Sequence, residues 1–188
     1  YFSLFLFLPP FIGLPLVLFL VWKKKSLNFS DYLLLMICFA IYLGAINATK
    51  VPNGDQINYY VAYMNVPNIG FLKSLIYIYG TDYYVDSGKV NISGEFMNGV
   101  YNYLGYYLTF GYYPLFAALY TFVEYLMIYL GLYKVFRKAQ MPKYPIVCGV
   151  LTLSFFYLFF QYTMQIQKQF FAQAIMMYVL GSYAEKGK

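Results

Sequence analysis

The chain has 188 residues, of which 62% are hydrophobic and 11% are charged, and its formal net charge is +6. Soluble domains carry about 25% charged residues, so this composition excludes a soluble cytosolic enzyme, a disordered chain and a nucleic-acid-binding protein. We therefore predict an all-α fold, a polytopic bundle of transmembrane helices that contacts membrane lipids. The sequence contains no histidine, which excludes histidine-based triads and HExxH zinc sites. We expect no metal and no cofactor.

Five apolar runs predict helices that cross the bilayer, since about 20 apolar residues span its hydrocarbon core. Ser30 and Asp31 precede the second run, and either residue could cap the start of its helix. We treat residues 1–188 as a single membrane domain. The predicted spans are residues 2–22, 32–49, 111–133, 144–160 and 169–183.

Residues 47–110 form the predicted outer loop, because four of the seven acidic residues lie there among many asparagines and tyrosines. The block is too polar to span a membrane and too aromatic to be a plain linker. We expect short helical pieces in it. Between Phe96 and Leu108, apolar residues recur at the spacing of one helix face, which predicts an amphipathic helix at the membrane surface.

The basic residues indicate the orientation, because lysine and arginine are enriched in cytoplasmic loops. If the loop at Lys23–Lys25 is cytoplasmic, nine of the thirteen basic residues lie inside and the loop 47–110 lies outside the cytoplasm. Three separate segments agree on this orientation. The nine inside residues are Lys23, Lys24, Lys25, Lys134, Arg137, Lys138, Lys143, Lys186 and Lys188.

Two acidic residues of the outer loop are candidate catalytic groups. Asp55 follows a Pro-Asn-Gly turn and lies four residues before Tyr59, so the two share a face if the segment is helical. Asp55 is either the cap of that helix or a catalytic or binding carboxylate. Glu95 is at the start of the predicted amphipathic helix. A favourable interaction with the helix dipole is an alternative explanation for an acidic residue at this position.

Polar residues near the last predicted span form a second candidate group. Lys168 lies between Gln165 and Gln169 at the outer end of that span, where an amine can hold phosphate or diphosphate. The alternative is a lysine whose amine reaches the membrane surface. Glu124 lies within the third span, and it is either a functional acid or a protonated structural acid bonded to a tyrosine.

The chain contains 25 tyrosines, more than two membrane interfaces require. Six of them lie between residues 101 and 113. Tyrosine rings bind the faces of sugars and add a hydroxyl group, but they also anchor proteins at the lipid interface. Both interpretations of this group remain open.

Three of these segments resemble motifs of the EpsG branch of the Wzy-type polysaccharide polymerases. The segment Gly54–Tyr60 resembles the GDxxxY element of that family, and Glu95-Phe96 resembles its E-P/G-F element. The segment Lys168–Ala172 resembles its R-Q-x-[LF]-A element, with lysine in place of arginine. The order and the spacing of the three elements agree with the family.

The resemblance implies polymerisation of polyprenyl-diphosphate-linked oligosaccharide repeat units by glycosyl transfer, at the outer face of the bacterial inner membrane. A chain-length regulator and a flippase are then candidate partners, and this chain would be the N-terminal half of a larger protein. Asp55 and Glu95 would be catalytic, and Lys168 and Gln169 would bind the diphosphate. The implied supporting residues are Tyr59, Tyr60, Gln165 and Glu124.

Two other classes of function also fit an apolar chain with polar residues at its spans. A transporter or flippase subunit would use Glu124 as its coupling residue. A noncatalytic scaffold of a polysaccharide export system would tolerate substitution of Asp55 and Lys168. The polar residues concentrate at the outer face rather than at the midplane of the membrane, and this distribution favours the enzyme.

Overall fold

A computed structural model describes residues 8, 10–52, 55–69, 71, 82–85, 88–91, 96–156 and 167–187. This part of the chain is mainly helical, as predicted. Its helices are α1 (Pro10–Lys23), α2 (Phe29–Ala48), α3 (Asp55–Met64), α4 (Val66–Ile69), α5 (Phe96–Leu108), α6 (Tyr113–Lys138), α7 (Lys143–Phe155) and α8 (Gln167–Lys186). Its strands are β1 (Asp82–Val85) and β2 (Gly88–Asn91).

The start of α2 is capped by Asn28, and not by Ser30 or Asp31 as we predicted. The Asn28 side chain accepts a hydrogen bond from the Asp31 backbone N–H, and the Asp31 carboxylate accepts one from the Asn28 N–H. This reciprocal capping box satisfies two backbone donors at the helix start. The helix therefore begins three residues before the apolar run, and Asp31 belongs to its first turn.

Helix α6 is the central helix, and α2 packs against it in the antiparallel direction. Tyr32, near the start of α2, contacts the ring of Tyr133 with centroids 5.2 Å apart. Near the end of α2, Asn47 donates a hydrogen bond of 2.6 Å to Thr121. The two backbones approach closely at Gly44, where a Cβ atom would lie 2.6 Å from a carbonyl oxygen of α6.

Helix α8 lies parallel to α6. Phe171 stacks on Tyr120 near the start of both helices, with ring centroids 5.5 Å apart. Further along, a Cβ atom at Gly181 would lie 2.4 Å from the carbonyl oxygen of Gly131. The glycines therefore allow the two backbones to touch.

Helix α7 packs antiparallel to α6. The hydroxyl groups of Ser154 in α7 and Tyr129 in α6 form a buried hydrogen bond of 2.6 Å. The side chain of Lys143, at the start of α7, donates hydrogen bonds to the carbonyl groups of Val21 and Trp22 at the end of α1. Helix α7 therefore ties α1 to the central helix.

The predicted amphipathic helix is present as α5, which packs antiparallel along the first part of α6. Its apolar stripe does not face α6, however, because Leu104, Tyr107 and Leu108 are exposed. The face that packs contains Asn102 and Gly105, and a Cβ atom at Gly105 would overlap the ring of Phe116. A small residue is needed there because the aromatic ring fills the space between the two helices.

The outer loop contains more than the short helical pieces that we expected. Helices α3 and α4 are such pieces, but β1 and β2 form an antiparallel pair in which Asp82 is opposite Asn91 and Val85 is opposite Gly88. The two β-branched valines of these strands favour extended backbone.

Within the described part of the chain, two helices, α2 and α6, are long and apolar enough to cross a membrane, and they coincide with the second and third predicted spans. Helix α7 is apolar but has 13 residues, fewer than a span needs. Helix α8 has 20 residues, but glutamine and lysine in its first turn reduce its hydropathy. Length and composition therefore support two of the five predicted spans. The predicted spans 2–22 and 144–160 extend into residues that lie outside the described part of the chain.

The helices define two ends of the bundle. At the first, which we name the lysine end, α1, α6 and α8 end and α2 and α7 begin. Lys134 donates a hydrogen bond to Ser182 there, and Lys138 donates one to the carbonyl group of Gly187. At the opposite end, which we name the motif end, α2 ends and α6 and α8 begin.

Candidate functional site

Three helices that carry the sequence motifs meet at the motif end. Asp55 is the first residue of α3, Phe96 is the first residue of α5, and Lys168 is the second residue of α8. All three helices contact the first third of α6. Residues that are more than 100 positions apart in the sequence are therefore brought to one end of the bundle.

An aromatic cluster holds these helices together. Phe171 of α8 contacts Tyr101 of α5 and Tyr120 of α6, with ring centroids 6.1 and 5.5 Å apart. Tyr63 of α3 contacts Tyr106 of α5 at 5.2 Å. Aromatic pairs at such distances add to the stabilisation from burial. The aromatic cluster consists of Tyr63, Tyr101, Tyr106, Tyr113, Phe116, Tyr120 and Phe171, with Ala117 packed among them.

Tyr63 lies at the centre of this cluster and is fully buried. Its hydroxyl group is hydrogen-bonded to the Thr109 hydroxyl, and the Thr109 hydroxyl in turn donates to the carbonyl group of Gly105. Burial raises the pKa of Tyr63 above its ordinary value, although the hydrogen bond to Thr109 opposes this shift. Tyr63 is therefore a neutral structural residue that ties α3 to the turn between α5 and α6.

A cavity of about 620 Å³ lies beside the cluster, between the end of α2, α3 and the start of α6. Its wall on α3 is formed by Ile57, Tyr60 and Met64, which recur along one helix face. Asp55, Tyr59 and Tyr63 occupy a different face of α3. Residues on both sides of Asp55 in the sequence, Pro52 and Ile57, nevertheless line the cavity. The rest of the lining is Asn47, Ala48, Lys50, Val51, Gly111, Tyr112, Tyr113, Pro114 and Ala117.

Lys50 is a charged residue among the described residues that line the cavity. Partial burial lowers the pKa of its amine, because a less hydrated site disfavours the ammonium form. Asn47 also lines the cavity and is only 2% exposed. Its Nδ2 atom donates to Thr121, whereas its Oδ1 atom accepts no hydrogen bond from the described residues.

The predicted site residues fall into three groups. Tyr60 lines the cavity, Asp55 begins the helix that forms one of its walls, and Tyr59 is half-buried on the Asp55 face. Lys168 and the exposed Gln169 lie in the first turn of α8, next to the aromatic cluster. Glu95 and Gln165 lie outside the described residues. The position of Asp55 at the start of α3 is compatible with both of its predicted roles.

Glu124 lies next to the aromatic cluster but outside the cavity. It is fully buried in α6 and does not line the cavity. Neither carboxyl oxygen has a hydrogen-bond partner of ordinary geometry among the described residues, and the Tyr120 hydroxyl is a polar neighbour. Burial near a tyrosine agrees with the structural interpretation of Glu124 and leaves the functional interpretation open.

Sequence analysis did not identify Lys50, Asn47 or Tyr63 as site residues. Asn47 carried a detectable signal, because it is a polar residue at the end of an apolar run. The tyrosine-rich segment 101–113 was recognised, and Tyr112 and Tyr113 of that segment line the cavity. Lys50 and Tyr63 had no local signal that distinguished them from the other lysines and tyrosines.

Comparisons with protein-family models, with curated proteins and with solved structures found no match to this chain. The resemblance to the EpsG branch therefore depends on the three short motifs and on their order in the sequence.

Proposed function

We propose that the chain is part of an integral membrane glycosyltransferase that polymerises oligosaccharide repeat units carried on polyprenyl diphosphate. One observation supports this function above the others. The helices that follow or carry the three polymerase-like motifs meet on the first third of α6, around one aromatic cluster and beside one cavity. A scaffold has no need for such an arrangement.

The proposed reaction is the transfer of a glycan between two lipid-linked chains. A hydroxyl group of the acceptor sugar attacks the anomeric carbon of the donor glycan and forms the new glycosidic bond. The bond from that carbon to the diphosphate oxygen breaks, and the lipid diphosphate leaves. Asp55 accepts the proton of the hydroxyl group, while Lys168 and Gln169 hold the diphosphate.

The proposed setting is the bacterial inner membrane, crossed by five spans with the motif end outside the cytoplasm. The bundle supports this orientation, because α1, α6 and α8 all end at the lysine end and their last turns carry basic residues. Basic residues are enriched on the cytoplasmic side of membrane proteins. The site would then face the compartment in which lipid-linked repeat units are polymerised.

The first test is a glycan ladder from a strain that lacks the gene and is complemented with its complete coding sequence. We expect the wild type to produce a ladder and Asp55→Asn to produce a single repeat unit, because loss of a general base slows transfer by about 10²–10⁴-fold. Asp82→Asn is the matched control, since it makes the same change in the same loop outside the motif. We expect a normal ladder from this control at equal membrane expression.

A full ladder from Asp55→Asn would contradict the proposed site. A full ladder in the strain without the gene would contradict the polymerase function itself. In that case a transporter subunit becomes the favoured alternative, because Glu124 is a carboxyl group buried inside the long apolar helix α6.

A further inference from the structure

A second cavity lies in the half of the bundle that is nearer the lysine end, and we name it the α7–α8 groove. Its volume is about 570 Å³, within the range of roughly 300–1,000 Å³ that is typical of ligand pockets. The groove opens to the exterior of the bundle, because Thr152 and Met176 in its lining are exposed. Three helices form it: α6 with Ile128 and Leu132, α7 with Thr152 and Leu153, and α8 with Met176 and Met177.

The lining of the α7–α8 groove is suited to a hydrocarbon chain. Its described residues are mostly apolar, with Thr152 and Gln173 as the polar members. Methionine side chains are flexible and adapt to irregular or mobile ligands, and Met176 and Met177 form the apolar wall on α8. Helix α6 is long and apolar enough to cross a membrane, so an open groove along its side would face the chains of membrane lipids.

The depth of the α7–α8 groove matches one leaflet of a bilayer. Ile128 lies ten residues before Lys138, the last residue of α6, and ten residues of α-helix rise about 15 Å. Leu153 likewise lies ten residues after Lys143, the first residue of α7. Half of a hydrocarbon core of roughly 30 Å is also about 15 Å. A lipid with one chain in the groove would therefore have its headgroup at the lysine end.

Two cations at the end of α6 are suited to an anionic headgroup. Arg137 and Lys138 are exposed, and neither forms an ion pair among the described residues. The Lys138 amine donates one hydrogen bond, to the carbonyl group of Gly187, and an ammonium group has two further donors. Arginine can bind two phosphate oxygens at once. On α8, the charge of Lys186 offsets that of the adjacent Glu185, so Arg137 and Lys138 leave the ends of these two helices positive.

We propose that the α7–α8 groove binds one chain of an anionic phospholipid, whose phosphate pairs with Arg137 and Lys138. The inference rests on the membrane setting of the proposed function and not on the polymerase activity. A helix of a second copy would also cover an apolar groove, but it would not explain the two cations at the groove's end. The bound chain fills the space between α7 and α8 and stabilises their packing on α6.

The test compares dioleoyl phosphatidylglycerol, which is anionic, with dioleoyl phosphatidylcholine, which has the same chains and no net charge. Each lipid is titrated against the delipidated full-length protein in detergent, and bound lipid is counted by native mass spectrometry. We expect phosphatidylglycerol to bind about tenfold more tightly, the effect of one charge-assisted hydrogen bond. The double variant Arg137→Gln/Lys138→Gln should bind the two lipids equally, because it removes both cations.

Lys23→Gln/Lys25→Gln is the matched control for the charges. It removes two exposed lysines at the same end of the bundle, after the end of α1, which does not line the groove. The preference for phosphatidylglycerol should remain about tenfold in this control. An equal loss of preference in both double variants would show that net charge alone attracts the lipid, and would overturn the proposed site.

A third variant tests the groove itself. Thr152→Phe places a bulky side chain in the groove and should weaken binding of both lipids about tenfold, the effect of excluding two methylene groups. Ile175→Phe is its control, since Ile175 is exposed on α8 outside the lining, and it should leave both affinities unchanged. Elution as a single peak in size-exclusion chromatography establishes that each variant is folded.

Three further results would overturn the proposal. They are equal binding of the two lipids by the wild type, a retained preference in Arg137→Gln/Lys138→Gln, and unchanged affinities in Thr152→Phe. A wild-type dimer that Thr152→Phe converts to a monomer would assign the groove to a second copy instead. The binding assay requires no polymerisation, so failure of the proposed function in the ladder assay is distinguishable from failure of this inference.

Discussion

At the residue scale, identical side chains have different roles that depend on their surroundings. Tyr63 is fully buried and hydrogen-bonded to Thr109, whereas Tyr107 in the neighbouring helix is 54% exposed. Tyr60 lies three residues before Tyr63 on α3, but it lines the cavity. A ligand-binding role is therefore credible for Tyr60 and not for Tyr63.

Lys168 provides a direct test of the diphosphate-binding proposal. We expect Lys168→Ala to slow polymerisation by about 10²-fold, because it removes a cation that stabilises the leaving group. Lys168→Arg should retain activity, since arginine also carries a permanent charge and can bind two oxygens of a phosphate at once. The length of the glycan ladder and its rate of appearance measure both effects.

Lys186→Ala is the control for this pair, because Lys186 lies on the same helix at the lysine end. It should leave the ladder unchanged. If Lys168→Ala polymerised as fast as the wild type, Lys168 would be an interfacial lysine whose aliphatic stem contacts the membrane surface.

At the element scale, the contact between α6 and α8 depends on glycine. A Cβ atom at Gly131 would lie 2.4 Å from the carbonyl oxygen of Met177, a backbone atom that cannot move aside. We expect Gly131→Ala to destabilise the protein by about 1–3 kcal/mol, the usual cost of overpacking. Thermal stability in detergent, followed by size-exclusion chromatography after heating, measures this change.

Gly149→Ala is the matched control on α7. The nearest atoms to its added methyl group belong to the side-chain ends of Leu132 and Phe136, which can move. Alanine also favours the helix over glycine by about 1 kcal/mol. Gly149→Ala should therefore leave the melting temperature unchanged or raise it, and an equal loss of stability in both variants would show that backbone contact is not the cause.

Helix α5 shows that helical periodicity does not identify the packing face. The apolar spacing from Phe96 to Leu108 correctly predicted the helix. Leu104, Tyr107 and Leu108 of this stripe are exposed, however, and α5 packs through Asn102, Gly105 and Tyr101 instead. In a membrane protein, an apolar stripe can face either the neighbouring helices or the lipid. The pattern alone therefore does not decide between these two orientations.

At the scale of the whole molecule, the two ends of the bundle differ in charge. The lysine end carries basic residues at the ends of three helices. It also carries two acidic residues, Asp31, which is paired with Lys24 at 2.7 Å, and Glu185, near the end of α8. The motif end carries the cavity and the aromatic cluster. This polarity is the basis of the proposed orientation in the membrane.

Cysteine labelling tests that orientation. The variants are Asn68→Cys at the motif end and Lys25→Cys at the lysine end, both at exposed positions, in a background that lacks Cys38 and Cys148. We expect a membrane-impermeant maleimide to label Asn68→Cys in intact cells and Lys25→Cys only after permeabilisation. The reverse pattern would invert the topology, and labelling of both in intact cells would contradict a spanning bundle.

Much of the local structure was predictable from the residues, and some of it was not. Long apolar runs correctly predicted α2 and α6, because helix formation in such runs depends on neighbouring residues. The cap of α2 was misassigned, since the capping box depends on the geometry between Asn28 and Asp31. The pairing of β1 with β2 was also missed, because strand pairing joins two segments that are individually weak signals.

The sequence by itself determined the mainly helical fold, its main helices and the end of the bundle at which three helices finish in basic residues. These properties follow from composition and from interactions between residues close in the chain. Only the tertiary structure decided which side chains form the site. Asn47 contacts Thr121, which lies 74 positions later in the sequence. Phe171 contacts Tyr101, although the whole of α6 lies between these two residues in the sequence. Such contacts depend on which helix faces pack together, and no local pattern encodes that choice.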